Sequence, residues 1–266
     1  MRNKLRIPEK VYMFLVFAFL YAPIIVLMVF SFNESRTRGN WTGFSFKWYI
    51  ELLSDRQVLE ALYNTLTIAV VATIVSTIVG TLAAVGFMEY SKNKRKILLS
   101  INEIPVLNPD IVIGIGLMVL FTALNIEFGM LTLIIAHIVF TTPYVVLSVL
   151  PKLKMMDRNL SEAAMDLGAT PMQTLFKVII PEIKQGIIAG AMMAFTLSID
   201  DFVISFFTKG KGLNTISTTV FSMARRGINP TINALSTIMF AVTLILLVIV
   251  YLKTDNKENK LNEKEN

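Results

Sequence analysis

Four carboxylates, Glu103, Asp110, Asp200 and Asp201, stand within long apolar stretches of this 266-residue chain, and the interiors of those stretches contain no Lys or Arg to neutralise them. Ionisable groups in hydrocarbon are costly, so they line a pathway, cap a helix break or bond to a partner. A set of uncompensated acids calls for a cation. Asp200 and Asp201 project about 100° apart around a helix, so both cannot face one lumen and one is expected to be structural. Ser198, Asp201 and Ser205 share a stripe, whereas Asp200 sides with Leu197 and Ile204. Asp110 follows Pro105-Val-Leu-Asn108-Pro109, where two prolines one turn apart break the helix and free carbonyls that a cation could use. On straight spans, Asp110 and Asp200 both lie at about 20 Å depth, and Glu103, about 9 Å from the cytoplasmic end, is interfacial. The single histidine, His137, is expected to be a satisfied helix contact rather than a proton relay.

The elements that hold these groups follow from composition. Apolar residues make up 54% of the chain, charged residues 17%, and the mean hydropathy is +0.63. That is the balance of a chain dissolved in lipid. With no cysteine, one histidine and no HExxH, GxSxG or GxxxxGK[ST] pattern, thiolate, multi-histidine metal and self-contained nucleotide chemistry are excluded. Six stretches are long enough to cross a bilayer: about Val11 to Phe32, Asn64 to Met88, Ile97 to Phe121, Met130 to Leu150, Gly186 to Phe207 and Ile232 to Leu252. The connections on one side hold 17 Lys and Arg against eight on the other, so both termini are expected in the cytoplasm.

The expected fold is thus an all-α integral membrane bundle of six helices. Residues 1–61 carry the first span and an aromatic segment (Trp41, Phe44, Phe46, Trp48, Tyr49) expected at headgroup level; residues 62–252 form the core; residues 253–266 are a charged tail. Small residues at four-residue spacing, Ser76, Gly80 and Ala84 in the second span and Gly186, Gly190 and Ala194 in the fifth, mark faces for close helix packing.

The connection 151–185 has the strongest local signals. Asn159 with Glu162 three residues on begins a short helix, and Gly168 can end it. Thr170, Pro171 and Gln173 then spell a second start with a capping box. On local chemistry alone, two capped helices meeting at an elbow are either a docking device or a structural turn.

The string Glu162-Ala163-Ala164, three residues, Gly168, nine residues, Val178-Ile179-Ile180-Pro181 resembles the EAA loop of ATP-driven (ABC) importer permeases. Val178 and Ile180 depart conservatively from the family's Ile and Leu. The resemblance implies a type I importer permease bundle in the bacterial inner membrane, whose cytoplasmic coupling helices dock on an ATPase through Glu162, Ala163, Ala164 and Gly168. It also implies a homologous second permease, an ATPase dimer that alone holds ATP and Mg, and an extracytoplasmic binding protein; Arg225 and Arg226, whose charge would repel a cation, are expected to dock that binding protein or an acidic partner. This chain would then bind no cofactor, no metal and no nucleic acid. The segments 195–207 and 222–237 resemble the polyamine branch of these permeases, which implies a pathway built from Asp110, Asp200, Asp201, Phe202 and Phe206. The carboxylates would meet ammonium groups and the aromatic faces would hold methylenes. Other readings stay open on the residues: a secondary cation transporter or channel, an ABC permease for another small solute, or a membrane-embedded enzyme or scaffold. Nothing in the residues separates putrescine from spermidine.

Overall fold

A computed structural model of the protein describes residues 7–35, 40–157, 159–226, 230–242 and 244. The last part of the sixth expected span and the tail 253–266 lie outside these residues, as do Arg2, Lys4 and Arg6. The chain divides into two compact units, residues 1–59 with 220–266 and residues 60–219.

In the first unit, α1 (Ile7–Ser31) is a 25-residue helix that tolerates Pro23, and none of its apolar window is buried. A short α2 (Lys47–Ser54) follows an aromatic knot in which Phe32 stacks on Phe44 at 5.2 Å and meets Phe46 and Tyr49. The Trp48 indole N–H donates to the Asn33 carbonyl at 2.6 Å, and Trp48 is fully buried. It is therefore a packing residue and not the headgroup anchor expected of it; Trp41, Phe44 and Phe46 keep the exposure such a role needs.

The second unit is organised around α6 (Met130–Met155), which has more buried residues than any other helix among the described residues. Before it come α3 (Arg56–Glu89), α4 (Lys92–Leu107) and α5 (Asp110–Ala123). After it come α7 (Asn159–Asp166), α8 (Pro171–Thr174), a π-helical turn (Leu175–Ile179), α9 (Ile180–Glu182), α10 (Lys184–Asp200) and α11 (Val203–Thr208). The chain continues into α12 (Ile216–Arg226) and the apolar α13 (Pro230–Val242).

Among the described residues, three helices are long and apolar enough to span a membrane, and up to five spans result if each bent pair counts as one. Two of the expected spans differ from straight rods. The axes of α4 and α5 meet at 103° across Asn108-Pro109, because Pro109 cannot continue the ladder and Asn108 is held extended. The fifth span ends at Asp200, and Asp201 and Phe202 separate it from α11.

Lipid tails are as apolar as leucine, so helix association in a bilayer rests on van der Waals fit rather than on hydrophobic transfer. The small-residue faces supply that fit, and both press on one side chain. A Cβ added to Gly80 would lie 2.8 Å from the Val145 Cβ, and one added to Gly190 would lie 3.1 Å from the Val145 Cα. Gly186 meets Ser148 and Val149 one turn on. Ala84, Val145, Val146, Val149, Leu153, Ile183 and Ala194 form the resulting core. At the opposite end of α6, Leu117, Phe121, Ala136, Phe140 and Ile204 join α5 and α11 in a second cluster.

Gly190→Leu is expected to lower the unfolding temperature of the detergent-purified protein, at a cost of about 1–3 kcal/mol of overpacking. Gly116→Ala, which adds a Cβ into open space, is expected to leave it unchanged.

Candidate functional site

At the end of α10 the chain breaks around a buried polar cluster. The Gly190–Val145 contact sets the register of α10 on α6, which brings Ser198 opposite His137. The His137 Nδ1 and the Ser198 hydroxyl are hydrogen bonded at 2.7 Å, and Nε2 and the Ser205 hydroxyl at 3.0 Å. The Asp201 carboxylate lies 3.5 Å from the same Nε2. Its two oxygens accept the backbone N–H groups of Ile204 and Ser205 at 3.1 and 2.7 Å, so Asp201 caps the start of α11. With side-chain exposure of 1% for His137 and 4% for Asp201, this is a satisfied internal network. The Ser198, Asp201 and Ser205 stripe is the surrounding of His137.

Asp200 stands in contrast. It is exposed, and it is the last residue of α10. A helix C-terminus carries unsatisfied carbonyls and a negative partial charge, which makes it a poor place for a carboxylate and a good place for a bound cation. The Ser217 hydroxyl lies 3.5 Å from the Asp200 carbonyl. Phe202 and Phe206 follow with ring centroids 5.5 Å apart, Phe202 half-buried and Phe206 exposed.

Asp110 begins α5 directly after the break and is exposed, placed where the helix dipole favours an acid. It lies within electrostatic reach of the Tyr144 hydroxyl on α6, a neighbour that nothing local in the sequence marks. The chain turns by 103° just ahead of Asp110, so α4 and α5 are not one straight span. Glu103 is half-buried on α4, which has no buried residue.

The connection 151–185 folds as two short helices. The cap of α7 is Asp157, whose carboxylate accepts the Asn159 N–H at 3.0 Å, so the start signal sits two residues before Asn159. The end is set by Gly168, at φ +88°, with the Gly168 N–H on the Met165 carbonyl at 2.9 Å and the Ala169 N–H on the Ala164 carbonyl at 3.0 Å. This double closure is a Schellman motif, in which a left-handed residue stops the helix. The Thr170 N–H donates to Gln173 Oε1 at 2.9 Å, and the Thr170 hydroxyl accepts the Gln173 N–H at 3.3 Å, completing the capping box. Glu162, Ala163 and Gly168 are exposed and Ala164 is half-buried. Around them Leu167 is 90% exposed, and Met172 and Phe176 are exposed too. The motif does not single out these apolar groups, although their placement on two capped helices gives the connection an apolar surface. The segment Pro171–Glu182 meets α10 at 74°.

An all-α membrane bundle with capped helices between two long apolar segments has the type I importer permease fold. A solved bacterial ABC transporter involved in import of the acidic polysaccharide alginate superimposes with a TM-score of 0.68, covering 94% of this chain and 95% of that one at 15% identity. The MetNI methionine ABC transporter superimposes at 0.60 over 78% and 95%, at 19% identity. Residues 76–254 match the family described as binding-protein-dependent transport system inner membrane component, and the chain belongs to that family. It is 38% identical to the putrescine transport system permease protein PotI of Escherichia coli K12, over 97% of this chain and 95% of that protein. It is also 38% identical to the spermidine/putrescine transport system permease protein PotC of the same strain, over 89% and 90%. The chain is therefore a multi-pass inner-membrane permease component of an ABC importer, close to PotC, and not itself a catalyst.

Asp201→Ala is expected to cost about 0.5–2 kcal/mol through the lost cap, read as a lower unfolding temperature in detergent, whereas Asp201→Asn keeps the acceptor and costs less. Equal effects of the two substitutions would contradict the capping role.

Proposed function

We propose that this permease carries polyamines inward, driven by a cytoplasmic ATPase dimer that holds ATP and Mg, beside a homologous second permease and below an extracytoplasmic binding protein. The observation that carries the substrate class is the exposed carboxylate of Asp200 at the carbonyl end of α10, with no Lys or Arg between Gly186 and Phe207 to answer it. A polyamine brings several ammonium groups joined by methylenes. Asp200 and the carbonyl end of α10 receive one ammonium, Phe202 and Phe206 line the alkyl chain, and Asp110 meets a second ammonium. Asp201 acts beside them by holding α11 and the break in place. The similarity to both PotI and PotC supports the substrate class and leaves putrescine and spermidine as equal candidates.

Coupling rests on Glu162, Ala163, Ala164 and Gly168. The small alanines allow a partner surface to come close, Leu167 and Met172 offer it apolar contact, and the two caps make the unit rigid. Both ends of the connection run into helices packed on each other, α6 and α10, so a push on α7 moves the pair that carries the His137 and Asp200 region. Both termini are assigned to the side of this connection, which the excess of Lys and Arg there favours.

Asp200→Asn and Asp110→Asn are each expected to reduce labelled polyamine uptake per permease molecule at least tenfold, about 1.4 kcal/mol, without reducing abundance. Unchanged uptake in both would remove the carboxylates from the pathway. Gly168→Leu is expected to leave the protein folded, since nothing lies within 4 Å of an added Cβ, but to strain the left-handed turn by about 1–2 kcal/mol. Uptake and its coupled ATP hydrolysis should fall together in that variant, and normal transport would contradict the coupling role.

A further inference from the structure

A cleft of about 370 Å³ lies between the start of α4 and the end of α6, lined by Lys92, Arg95, Lys96 and Lys154, with Ser100 beside them and Glu103 at the acidic limit. Lys92, Lys96 and Lys154 are exposed, and among the described residues none of them has a hydrogen bond or an ion pair with a carboxylate. Arg95 has a double task. Its Nη2 donates to the Met88 and Tyr90 carbonyls at 3.1 Å each, closing the end of α3, while its Nε is buried without a partner. Four positive groups on two elements thus converge on an open space large enough for a small anion. Like charges held this close repel, and an anion relieves them.

The surroundings decide which anion. α4 has no buried residue, and Ile97, Ile101 and Ile104 on its outer face are more than half exposed, so the helix presents an apolar side next to its basic end. Basic groups at headgroup level beside an apolar helix face are the features that hold an acidic lipid. Lys154 also stands three residues before Asp157, the cap of α7, so the cleft adjoins the coupling connection; its place in the cytoplasmic leaflet rests on the coupling assignment proposed above. We infer that Lys92, Lys96 and Lys154, with Arg95 as their fixed base, bind the phosphate of an anionic glycerophospholipid at the root of the coupling helices. Ser100 and Glu103 then face the hydroxyls of a glycerol headgroup.

The test uses the full chain reconstituted in phosphatidylcholine vesicles containing spin-labelled phosphatidylglycerol, reading the motionally restricted lipid fraction. The Lys92→Gln/Lys96→Gln/Lys154→Gln variant is expected to lose preference for the acidic lipid on the order of a hundredfold, and the matching Lys→Arg variant to keep it. A charge-matched control, Lys47→Gln/Lys209→Gln/Lys211→Gln, is expected to bind as the parent. Equal binding by the cleft variant and the parent would overturn the site. Displacement of the lipid by inorganic phosphate at equal concentration would make it a free-phosphate site and overturn the lipid assignment. Retained lipid binding with loss of ATPase association would make it a protein contact and overturn the proposal as well. Because the readout needs no transport, it stands apart from the result for polyamine uptake.

Discussion

Val145 is held from both sides by residues without side chains, Gly80 on α3 and Gly190 on α10, and this contact fixes the register of the second unit. In a bilayer no transfer free energy from water drives the helices together, so register depends on shape. Once Gly190 is seated on Val145 and Gly186 on Ser148 and Val149, Ser198 must face His137. From there the order of the site follows: His137 draws Asp201 inward, Asp201 caps α11, and Asp200 is left as the exposed end of α10. At their other ends the same two helices enclose the connection 151–185. One packed pair therefore links the connection proposed to couple with the carboxylate proposed to meet the substrate.

Legibility in the sequence follows the range of the interactions. The turn at Gly168 and the capping box of Thr170 and Gln173 depend on neighbours within five residues, and both are written in the local residue pattern. The cap of α7 sits two residues earlier than that pattern suggests, because Asp157 and Asn159 are both good capping residues and only geometry selects between them. Prolines announce a break ahead of Asp110, but the 103° angle depends on how α5 packs against α11 and α6, which no local pattern encodes. That one of two adjacent aspartates must be structural follows from helix geometry. Which one it is depends on a histidine 64 residues earlier in the chain, and pairing over that distance is not written in spacing.

The contrast between the two aspartates also explains how a membrane protein keeps acids without collapsing. Asp201 is buried with backbone donors and an imidazole, so its charge is part of the fold. Asp200 and Asp110 sit at helix ends beside breaks, where the chain exposes them. An acid at the start of α5 is helped by the helix dipole, while an acid at the end of α10 works against it and gains from a cation. This difference places the stronger demand for a positive ligand at Asp200.

The most direct test of a polyamine importer driven by ATP is uptake of labelled putrescine and spermidine by cells lacking this gene, with and without the gene restored, before and after ATP depletion at a maintained proton gradient. The account predicts saturable uptake of at least one polyamine that returns with the gene and disappears with ATP. Restored uptake that survives ATP depletion, or no restored uptake of either polyamine, would contradict it.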